Sequence, residues 1–433
     1  MLDIKFIRQE PELSRRKLQE RGESPKLIDE LLGSDESRRA IVTELEQLQA
    51  KLNASSKEIG MLMGKGQKEK AEEKKSETRE LGRKIDKLNH RKSDSEEAFN
   101  ALMLTLPNFA HESVPVGPDE SFNKEVKIEG GKPDFDFEPK GHIDICESLE
   151  LIDFERGAKL AGSGFLLYIG WGARLERALI QFLLDLHVQD HGYKEVSPPF
   201  MVQSECMEGV GQFPKFLDQA YAIQEGLDSD TLGKRYLIPT AEAPVANMHR
   251  GEMLHESDLP KCYCAYSPCF RAEAGAAGVA TRGMIRVHQF DKVELIKVVN
   301  PENGYEELEK MLQNAEKVLQ LLGLHYRVVT LSSGDMGFAA AKTYDIEVWA
   351  PGQGDYLEVS SISNTEDFQS RRMKLRYKSD EGGPKFPHIL NGSGVALARL
   401  FVALLETYQQ VDGSVKIPKL LQPYLHTDVI PSP

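Results

Sequence analysis

One stretch, residues 261–299, brings together side chains that suit phosphates, bases and ammonium groups. Two strand-like runs flank a loop rich in glycine and alanine between Gly275 and Gly283, which predicts a long-looped antiparallel hairpin. Side chains alternate along a strand, so polar and apolar residues fall on opposite faces. The apolar face of the second run carries Ile285, Val287 and Val293, and its polar face carries Arg286, His288, Phe290, Lys292 and Glu294. On the first run, one face holds Cys269, Arg271 and Glu273.

This polar face offers three kinds of contact at once. The planar arginine fork donates two parallel hydrogen bonds to a phosphate. An aromatic ring stacks on a base, and a carboxylate accepts hydrogen bonds from an ammonium group. ATP together with an amino acid needs all three. The alternative is a solvent-facing strand with cross-strand ion pairs. Since antiparallel sheets commonly leave one face free, we expect this face to be accessible.

Three cysteines in the same stretch raise the question of a zinc site. Cys262, Cys264 and Cys269 follow strand alternation and do not form a paired Cys-x-x-Cys set. Structural zinc sites usually draw on such pairs. We therefore predict small strand residues here and expect no zinc.

Two further segments carry candidate ligands. Tyr344–Asn364 is predicted to form a second hairpin, with a turn at Pro351–Gly354. Its second half contains Glu358 and Ser361, and hard oxygen ligands of this kind suit magnesium beside phosphates. In Leu390–Gln409, glycines precede a helix with one apolar face, and Arg399 lies in its first turns. A buried arginine requires either a structural ion pair or an anionic ligand, and both readings stay open.

The first hundred residues have a different pattern. Residues 36–105 contain no proline, and apolar positions recur at alternating spacings of four and three, which predicts an antiparallel helical coiled-coil hairpin turning at Gly64 and Gly66. The first seam is Ile41, Leu45, Leu48, Leu52, Ser55, Ile59 and Leu62. The second seam is Thr78, Leu81, Ile85, Leu88, Lys92, Ser95, Phe99 and Leu102.

The tip and second helix of this hairpin are basic. Residues 65–92 contain eleven lysines and arginines against six acids, on a chain of 433 residues with a net charge of −14. Intrahelical ion pairs of a solvated coiled coil would explain the pattern, and so would contacts to nucleic-acid phosphates. The candidate phosphate contacts are Lys68, Lys70, Lys74, Lys75, Arg79 and Arg83.

Composition divides the chain into three parts. We predict an N-terminal domain over 1–108, a linker rich in proline, glycine and acids over 109–133, and an α+β domain over 134–433. The N-terminal residues carry charges within their apolar stretch, which fits neither a signal nor a transit peptide. No run approaches the roughly 18 apolar residues of a membrane span. We expect a cytoplasmic protein without membrane contacts.

Taken together, these segments resemble class II aminoacyl-tRNA synthetases. FRAEAG (270–275), continuing to Glu294, is similar to motif 2, and LNGSGVALAR (390–399) to motif 3. The helix in 173–192, followed by YKEVSPPFMV with Pro199, is similar to motif 1. Several other segments resemble the seryl-tRNA synthetases of the bacterial and eukaryotic type: IPTAEAP (238–244), GQFPKF (211–216), YDIEVWAP (344–351), EVSSISN (358–364) and the N-terminal hairpin ending in LPN (106–108).

The resemblance implies a fold and an activity. The fold is an antiparallel sheet flanked by helices, preceded by the coiled-coil arm, and motif 1 would build a symmetric homodimer. The activity is activation of L-serine with ATP and Mg²⁺ to seryl-adenylate, followed by transfer to the 3′ end of tRNA(Ser), with tRNA(Sec) as a second candidate. The alternative is a non-catalytic paralogue that binds RNA or regulates.

The resemblance also implies roles for individual residues. Arg271 would hold the α-phosphate and the substrate carboxylate, Arg286 and Arg399 the outer phosphates, and Phe290 would stack on adenine. The implied catalytic residues are Arg271, Glu273, Arg286 and Arg399. The implied serine contacts are Thr240, Ala241, Glu242, Arg271, Glu294, Asn391 and Ser393. The implied ATP contacts are Arg271, Ala272, Glu273, Arg286, Val287, Phe290, Glu358, Val359, Ser360, Ser361 and Arg399, with Glu358 and Ser361 binding magnesium.

Overall fold

The structure is a computed structural model that describes residues 1–226, 230, 232–273 and 283–432. The chain divides into two compact units. The first covers Leu2–Leu106, and the second begins at Pro107.

The first unit is helical. Its helices are α1 (Ile4–Gln9), α2 (Pro11–Glu20), α3 (Lys26–Gly64) and α4 (Lys68–Thr105). The predicted hairpin is confirmed, since α3 and α4 pack along their length and bury Ile41, Leu45, Ile85 and Leu88 between them. The helix α3 begins ten residues before the predicted start at residue 36. The first turns of α3 pack against α1 and α2 and bury Ile28 and Leu31. They therefore do not follow the heptad pattern of the α3–α4 contact.

A buried carboxylate stabilises the base of this helical unit. Asp35 has no exposed side-chain surface and lies 2.9 Å from both Arg38 and Arg39 and 3.3 Å from Arg8. Burial alone would raise the pKa of Asp35, but hydrogen bonds from Arg38 and Arg39 hold it below its ordinary value. The charge is therefore matched, and removing it would leave three arginines without their common partner.

The second unit is built on a largely antiparallel sheet. Among the described residues its order is β1-β9-β10-β11-β14-β8-β7-β2. These strands are β1 (Lys124–Glu129), β2 (Lys194–Glu195), β7 (Lys261–Phe270), β8 (Gln289–Val299), β9 (Tyr326–Thr330), β10 (Lys342–Ala350), β11 (Asp355–Asn364) and β14 (His388–Ala396). Smaller sheets use β3 (Met201–Gln203), β4 (Ala222–Ile223), β5 (Arg235–Leu237), β6 (Met253–His255), β12 (Arg376–Lys378), β13 (Pro384–Lys385), β15 (Val415–Lys416) and β16 (Val429–Ile430).

Helices cover the sheet. They are α5 (His142–Ser148), α6 (Phe154–Ala161), α7 (Gly170–Gln189), α8 (Ser204–Gly209), α9 (Glu242–Ala246), α10 (Gly304–Leu321), α11 (Phe368–Met373), α12 (Leu397–Tyr408) and α13 (Gln422–Leu425). The predicted apolar helix after residue 396 is confirmed as α12, whose Leu400, Phe401 and Leu405 are at most 1% exposed. Each such side chain contributes about 1.5–3 kcal/mol through burial. Helix α12 therefore fixes the end of β14 to the core. No helix in the described part of the chain has the length and apolar character to cross a membrane.

The predicted linker over 109–133 is wrong in part. Its residues 124–129 form β1, which pairs with β9 at the edge of the main sheet. Ala110 and Val114 are buried against Val329 and Leu331. The strand was hidden because both of its faces are exposed at the sheet edge, so it carries no run of core residues.

Candidate active site

A cavity of about 240 Å³ lies over strands β8, β11 and β14. It brings together every predicted catalytic residue and most of the predicted serine and ATP contacts. Its lining includes Thr240, Glu242, Arg271, Glu273, Arg286, Val287, Phe290, Glu294, Glu358, Val359, Ser361, Asn391, Ser393 and Arg399. Residues far apart in the sequence therefore meet in one space.

Three predicted contacts do not line this cavity. Ala241 is fully buried in a small apolar cluster with Val245. The backbone amide of Ala272 donates to the carbonyl of Gln219. The hydroxyl of Ser360 donates to the carbonyl oxygen of Ser393 at 2.5 Å. Ser360 points to the opposite side of the strand from Ser361. Its hydroxyl therefore links β11 to β14 and does not face the cavity.

One end of the cavity holds a buried ion pair with a shared hydroxyl. The ammonium of Lys292 lies 2.5 Å from Oε2 of Glu294, and each of the two side chains is at most 7% exposed. The hydroxyl of Thr240 donates to Glu294 at 3.0 Å and accepts from Lys292 at 3.0 Å. The three groups are hydrogen-bonded to one another, which fixes the position of the Glu294 carboxylate.

A second carboxylate stands beside this group. Oε1 of Glu242 accepts from Gln369 at 2.6 Å and from Asn391 at 2.8 Å. Burial, and then the neighbouring Glu294 carboxylate, raise the pKa of Glu242 to about 7. Two closely spaced carboxylates form a site for a cation with several N–H donors, such as an α-ammonium group.

The middle of the cavity carries a cation over an aromatic ring. The guanidinium of Arg271 lies 5.1 Å from the centroid of the Phe290 ring. Within the described ranges, no carboxylate lies within 4 Å of Arg271. Arg286, in contrast, pairs with Glu273 at 2.6 Å. Arg271 is thus the arginine in this cavity that is ready to receive an anion.

The far end contains Arg399, Glu358 and Ser361. Nη1 of Arg399 donates to the backbone oxygen of Glu358 at 2.8 Å, and its carboxylate lies 3.3 Å away. The alternative of a structural ion pair for Arg399 is therefore realised, although both side chains remain partly exposed. Beneath them Asp345 pairs in register with Ser361, and its buried Oδ1 has no hydrogen-bond partner among the residues that the structure describes. Burial, and then the charge of Glu358, raise the pKa of Asp345.

These oxygens fit a magnesium ion. The Glu358 carboxylate and the Ser361 hydroxyl are hard donors that line one end of the cavity, and Asp345 lies behind Ser361, its register partner. A cation there would relieve the repulsion between Asp345 and Glu358. Across the described ranges, no three His, Cys, Asp or Glu side chains cluster closely enough to form a metal cage by themselves. The donor set therefore suits an ion that also binds substrate phosphates.

The geometry corrects two predictions about the first hairpin. Strand β7 ends at Phe270 and β8 begins at Gln289, so Arg271, Glu273, Arg286 and Val287 lie on connecting segments. The polar face of β8 is also not open, since Lys292 and Glu294 are buried. Alternation placed these side chains on one face correctly, but helix α9 contacts β8 and covers part of that face. Ala274–Arg282, which include most of the predicted loop, lie outside the described residues.

The predicted second hairpin and the strand cysteines are confirmed. Strands β10 and β11 pair across the turn at 351–354. Cys262, Cys264 and Cys269 all lie on β7. Burial raises the pKa of Cys264 to about 12, so its thiol remains protonated at neutral pH.

A strained backbone position connects the two ends of the site. Val395 has a φ of 102°, and the register between β14 and β8 shifts between Ser393 and Ala396. A β-branched residue adopts such an angle at a cost of roughly 1–3 kcal/mol. The bulge re-aims the chain so that Ser393 and Arg399 both reach the cavity.

Sequence reasoning missed three residues. Lys292 was placed on the correct face but was given no role, although a lysine two positions before a glutamate on a strand is a signal for a pair. Asp345 is paired across β10 and β11 with Ser361, and this register cannot be read before the hairpin is aligned. Gln369 reaches Glu242 from α11, a contact 127 positions apart in the chain that leaves no local pattern.

The basic residues of the hairpin divide into two groups. Lys74 lies 3.3 Å from Glu58 and 3.1 Å from Glu77, and Lys75 lies 2.5 Å from Glu72. The other four candidates are exposed, and no carboxylate of the described chain lies within 4 Å of them. These four are Lys68, Lys70, Arg79 and Arg83.

Comparisons with known proteins agree with both units. Residues 1–110 match the family described as seryl-tRNA synthetase N-terminal domain, and residues 226–408 match the tRNA synthetase class II core domain (G, H, P, S and T). Serine–tRNA ligase from Akkermansia muciniphila is 52% identical over 431 residues, covering 99% of each chain. The enzyme from Carboxydothermus hydrogenoformans is 53% identical over 431 residues, again covering 99% of each chain.

A solved structure agrees over the whole length. Seryl-tRNA synthetase from Pyrococcus horikoshii complexed with ATP superimposes with a TM-score of 0.92 at 38% identity, and 100% of both chains is covered. The identity of 52–53% extends over 431 residues, and the family models match parts of both units. The chain therefore belongs to the seryl-tRNA synthetases, within the class II aminoacyl-tRNA synthetases.

Proposed function

We propose that this chain is a serine–tRNA ligase that forms seryl-adenylate from L-serine and ATP and then transfers serine to tRNA(Ser). The observation that carries the proposal is the single cavity that joins paired carboxylates at one end to Arg271, Phe290 and Arg399 along its length. A cation-binding end beside a phosphate-binding end matches an amino acid and a nucleotide held head to head.

The activation step needs alignment of two anions more than it needs a nucleophilic side chain. The serine carboxylate attacks the α-phosphorus of ATP, and pyrophosphate leaves. Arg271, which has no carboxylate partner within 4 Å among the described residues, is proposed to bridge the serine carboxylate and the α-phosphate. Phe290 would stack on adenine, and Arg286 with Arg399 would hold the outer phosphates. Fixed cations aimed at developing charge are the main source of rate in such a site.

Magnesium would be held by Glu358 and Ser361, with Asp345 behind them. When bound, it would neutralise charge on the ATP phosphates. The support is the unpartnered oxygen of Asp345 beneath this pair of donors. Arg399 would hold Glu358 in place whether or not the ion is bound, because it also donates a hydrogen bond to the backbone oxygen of Glu358.

Serine selectivity is proposed to come from the fixed hydrogen-bonding groups around Glu294. A site built to bond a hydroxyl rejects an analogue that lacks it, because buried polar groups are then left unpaired. Glu294 cannot turn to another partner while Lys292 and Thr240 hold it. Alanine would therefore bind poorly, and threonine would be limited by the space beside Thr240.

Recognition of tRNA is proposed for the helical hairpin. The support is the exposed set Lys68, Lys70, Arg79 and Arg83, which have no carboxylate within 4 Å in the described chain. Phosphate contacts from such residues release counterions and make binding sensitive to salt. We assign residues 1–108 to this role and the residues after the predicted linker to catalysis.

Three finer points of the sequence analysis stay predictions: a homodimer built through motif 1, a cytoplasmic location, and tRNA(Sec) as a second RNA substrate. The competing reading, a non-catalytic paralogue, would be expected to lose at least one of the site's charged groups. Arg271, Arg286, Glu294, Glu358 and Arg399 all line the cavity. This retention favours the enzyme.

Amino-acid-dependent ATP–pyrophosphate exchange without tRNA tests the proposal. Serine should support exchange with magnesium present, and threonine, alanine and glycine should not. Exchange with another amino acid would keep the class of reaction and overturn the substrate. A folded protein that shows no exchange with any of them would support the paralogue.

A further inference from the structure

A buried histidine behind the active-site cavity joins the helix that carries Arg399 to the segment that carries Arg286. His142 is the first residue of α5, and its side chain is 2% exposed. Its Nδ1 lies 3.1 Å from Oε1 of Glu406 on α12. Its Nε2 accepts a hydrogen bond from the backbone amide of Met284 at 3.3 Å. Met284 lies two residues before Arg286, so this contact reaches the proposed phosphate end from outside the cavity.

The hydrogen-bond partners assign the proton of the His142 ring. The amide of Met284 can only donate, so Nε2 is the bare nitrogen and Nδ1 carries the hydrogen. Nδ1 then donates to Glu406. The side-chain amide nitrogen of Gln353 lies 3.3 Å from Nδ1, but it also donates to Oε1 of Glu406 at 3.0 Å. The neutral ring thus connects a buried carboxylate to a backbone amide.

The Glu406 carboxylate is itself fixed. It has no exposed side-chain surface, and among the described residues five hydrogen bonds reach it. Its Oε1 accepts from the backbone amide and Nδ1 of His142 and from the side chain of Gln353. Its Oε2 accepts from the backbone amides of Gly352 and Gln353. A buried carboxylate with this many donors has one stable position, so the ring is held from a rigid point.

The segment before β8 needs such support, because it lies outside the paired strand, which begins at Gln289. Nε of Arg399 donates to the carbonyl oxygen of Ile285 at 3.1 Å. Arg399 and Glu406 are seven residues apart on α12, which places them about two turns apart on one face of the helix. One helix thus holds Ile285 directly and the preceding residue through the histidine.

We propose that His142 is a positioning residue for ATP. Held by Glu406, it fixes the backbone at Met284, and that backbone aims Arg286 at the outer phosphates. The inference rests on the proposed function, which assigns Arg286 to those phosphates. The close fit of the chain supports it. A Cβ at Gly283 would lie 2.4 Å from Nε2 of His142, so the backbone passes the ring where only glycine leaves room.

Two substitutions of His142 separate this role from a purely structural one. Asparagine carries its amide at the δ position, so His142→Asn can still donate to Glu406 but no longer reaches Met284. Glutamine carries its amide at the ε position, so His142→Gln can still accept from Met284 but loses the bond to Glu406. Each variant loses one hydrogen bond of a buried ring, so both should unfold at similar, slightly lower temperatures. Gln353→Ala is the matched control, because it removes a bond to Glu406 and leaves the ring in place.

Steady-state kinetics of serine-dependent ATP–pyrophosphate exchange give the first readout. The KM for ATP should rise about three- to tenfold in His142→Asn, as expected for one lost hydrogen bond, and should stay within about twofold in His142→Gln and Gln353→Ala. The KM for serine should stay within about twofold in all three variants. Equal KM values for ATP in the two histidine variants would overturn the assignment. A parallel rise in the KM for serine would overturn it as well.

Amide hydrogen exchange of the unaltered, full-length chain gives a second test that needs no substitution. The backbone amide of Met284 should be protected, and rapid loss of its hydrogen would overturn the assignment. Absence of pyrophosphate exchange in the unaltered protein would instead contradict the proposed function. The protection of Met284, together with equilibrium binding of ATP to the two histidine variants, would then still decide the positioning role.

Discussion

The active-site cavity and the helical hairpin both depend on charged side chains, but they hold them in opposite environments. Lys292 and Glu294 are at most 7% exposed and lie 2.5 Å apart. In the hairpin, Lys74 and Glu77 are 29% and 59% exposed at 3.1 Å. Water and salt screen the second pair and not the first.

This difference determines what each charge can do. An exposed pair contributes about 0–1 kcal/mol, so a lysine of the hairpin can exchange a carboxylate for an RNA phosphate at little cost. Breaking a buried pair costs about 3–5 kcal/mol, because the remaining charge is left without a partner. On the proposed function, the cavity would therefore hold its substrate by rigid charges, and the hairpin would bind tRNA through many weak, replaceable ones.

The largest effect is expected from Glu294→Ala. Loss of this carboxylate removes the proposed serine contact and leaves Lys292 unpaired, so serine-dependent exchange should fall by about two to three orders of magnitude while ATP binding largely survives. Glu307→Ala is the matched control, because it breaks another buried pair. Glu307 on α10 lies 2.8 Å from Lys297, which is on β8 like Glu294 but outside the cavity. The control should lose stability but retain its KM for serine. Unchanged exchange in Glu294→Ala would contradict the serine site.

Shortening the hairpin should separate the two regions next. The contact between Glu58 and Lys74 shows that residues 55 and 77 lie near each other across the hairpin, so a short glycine turn can replace 55–77. The apolar cluster of Ile41, Leu45, Ile85 and Leu88 remains. We expect tRNA charging to fall by about a hundredfold through lost phosphate contacts, and exchange to stay within about twofold. Normal charging by the shortened chain would refute the role of the hairpin.

A smaller effect should come from charge alone. Changing Lys68, Lys70, Arg79 and Arg83 to glutamine removes the bases that have no carboxylate within 4 Å among the described residues, and it should weaken tRNA binding by about tenfold or more. The double variant Lys74→Gln with Lys75→Gln should weaken it by less than about 1.5-fold, because those lysines already pair with acids. Equilibrium binding of tRNA at one salt concentration distinguishes the two sets. Equal losses per charge would show that the partners do not matter.

The pH dependence of serine binding should reflect Glu242. Its pKa is raised to about 7, so the carboxylate becomes protonated as the pH falls below 7 and then binds the serine ammonium less well. Between pH 8 and pH 6, kcat/KM for serine in exchange should fall about tenfold. Glu242→Gln should flatten this profile at a low overall rate. A profile in the unaltered protein that is flat from pH 8 to pH 6 would contradict the assignment.

The sequence predicted the structure of the hairpin more completely than that of the cavity. The apolar seam through Ile41, Leu45 and Ile85 is local and periodic, so its spacing alone predicts that α3 and α4 pack along it. The family resemblance supplied the cavity residues, and alternation placed Phe290 and Glu294 on one face. Neither the resemblance nor the alternation could show that Glu294 is buried with Lys292, because this burial depends on α9 and on contacts from distant segments. Strand β1 was missed for a different reason: it lies at the sheet edge with both faces exposed, so it has no apolar face that the sequence could reveal.

A salt titration of the full-length chain tests the contrast between the two regions most directly. Serine-dependent exchange and tRNA charging would be measured on one preparation as potassium chloride rises from about 50 to about 200 mM. Charging at limiting tRNA should fall by about a hundredfold, as expected for roughly four phosphate contacts, and exchange should change by less than about twofold. Parallel decline of both activities, or charging that ignores salt, would contradict the account.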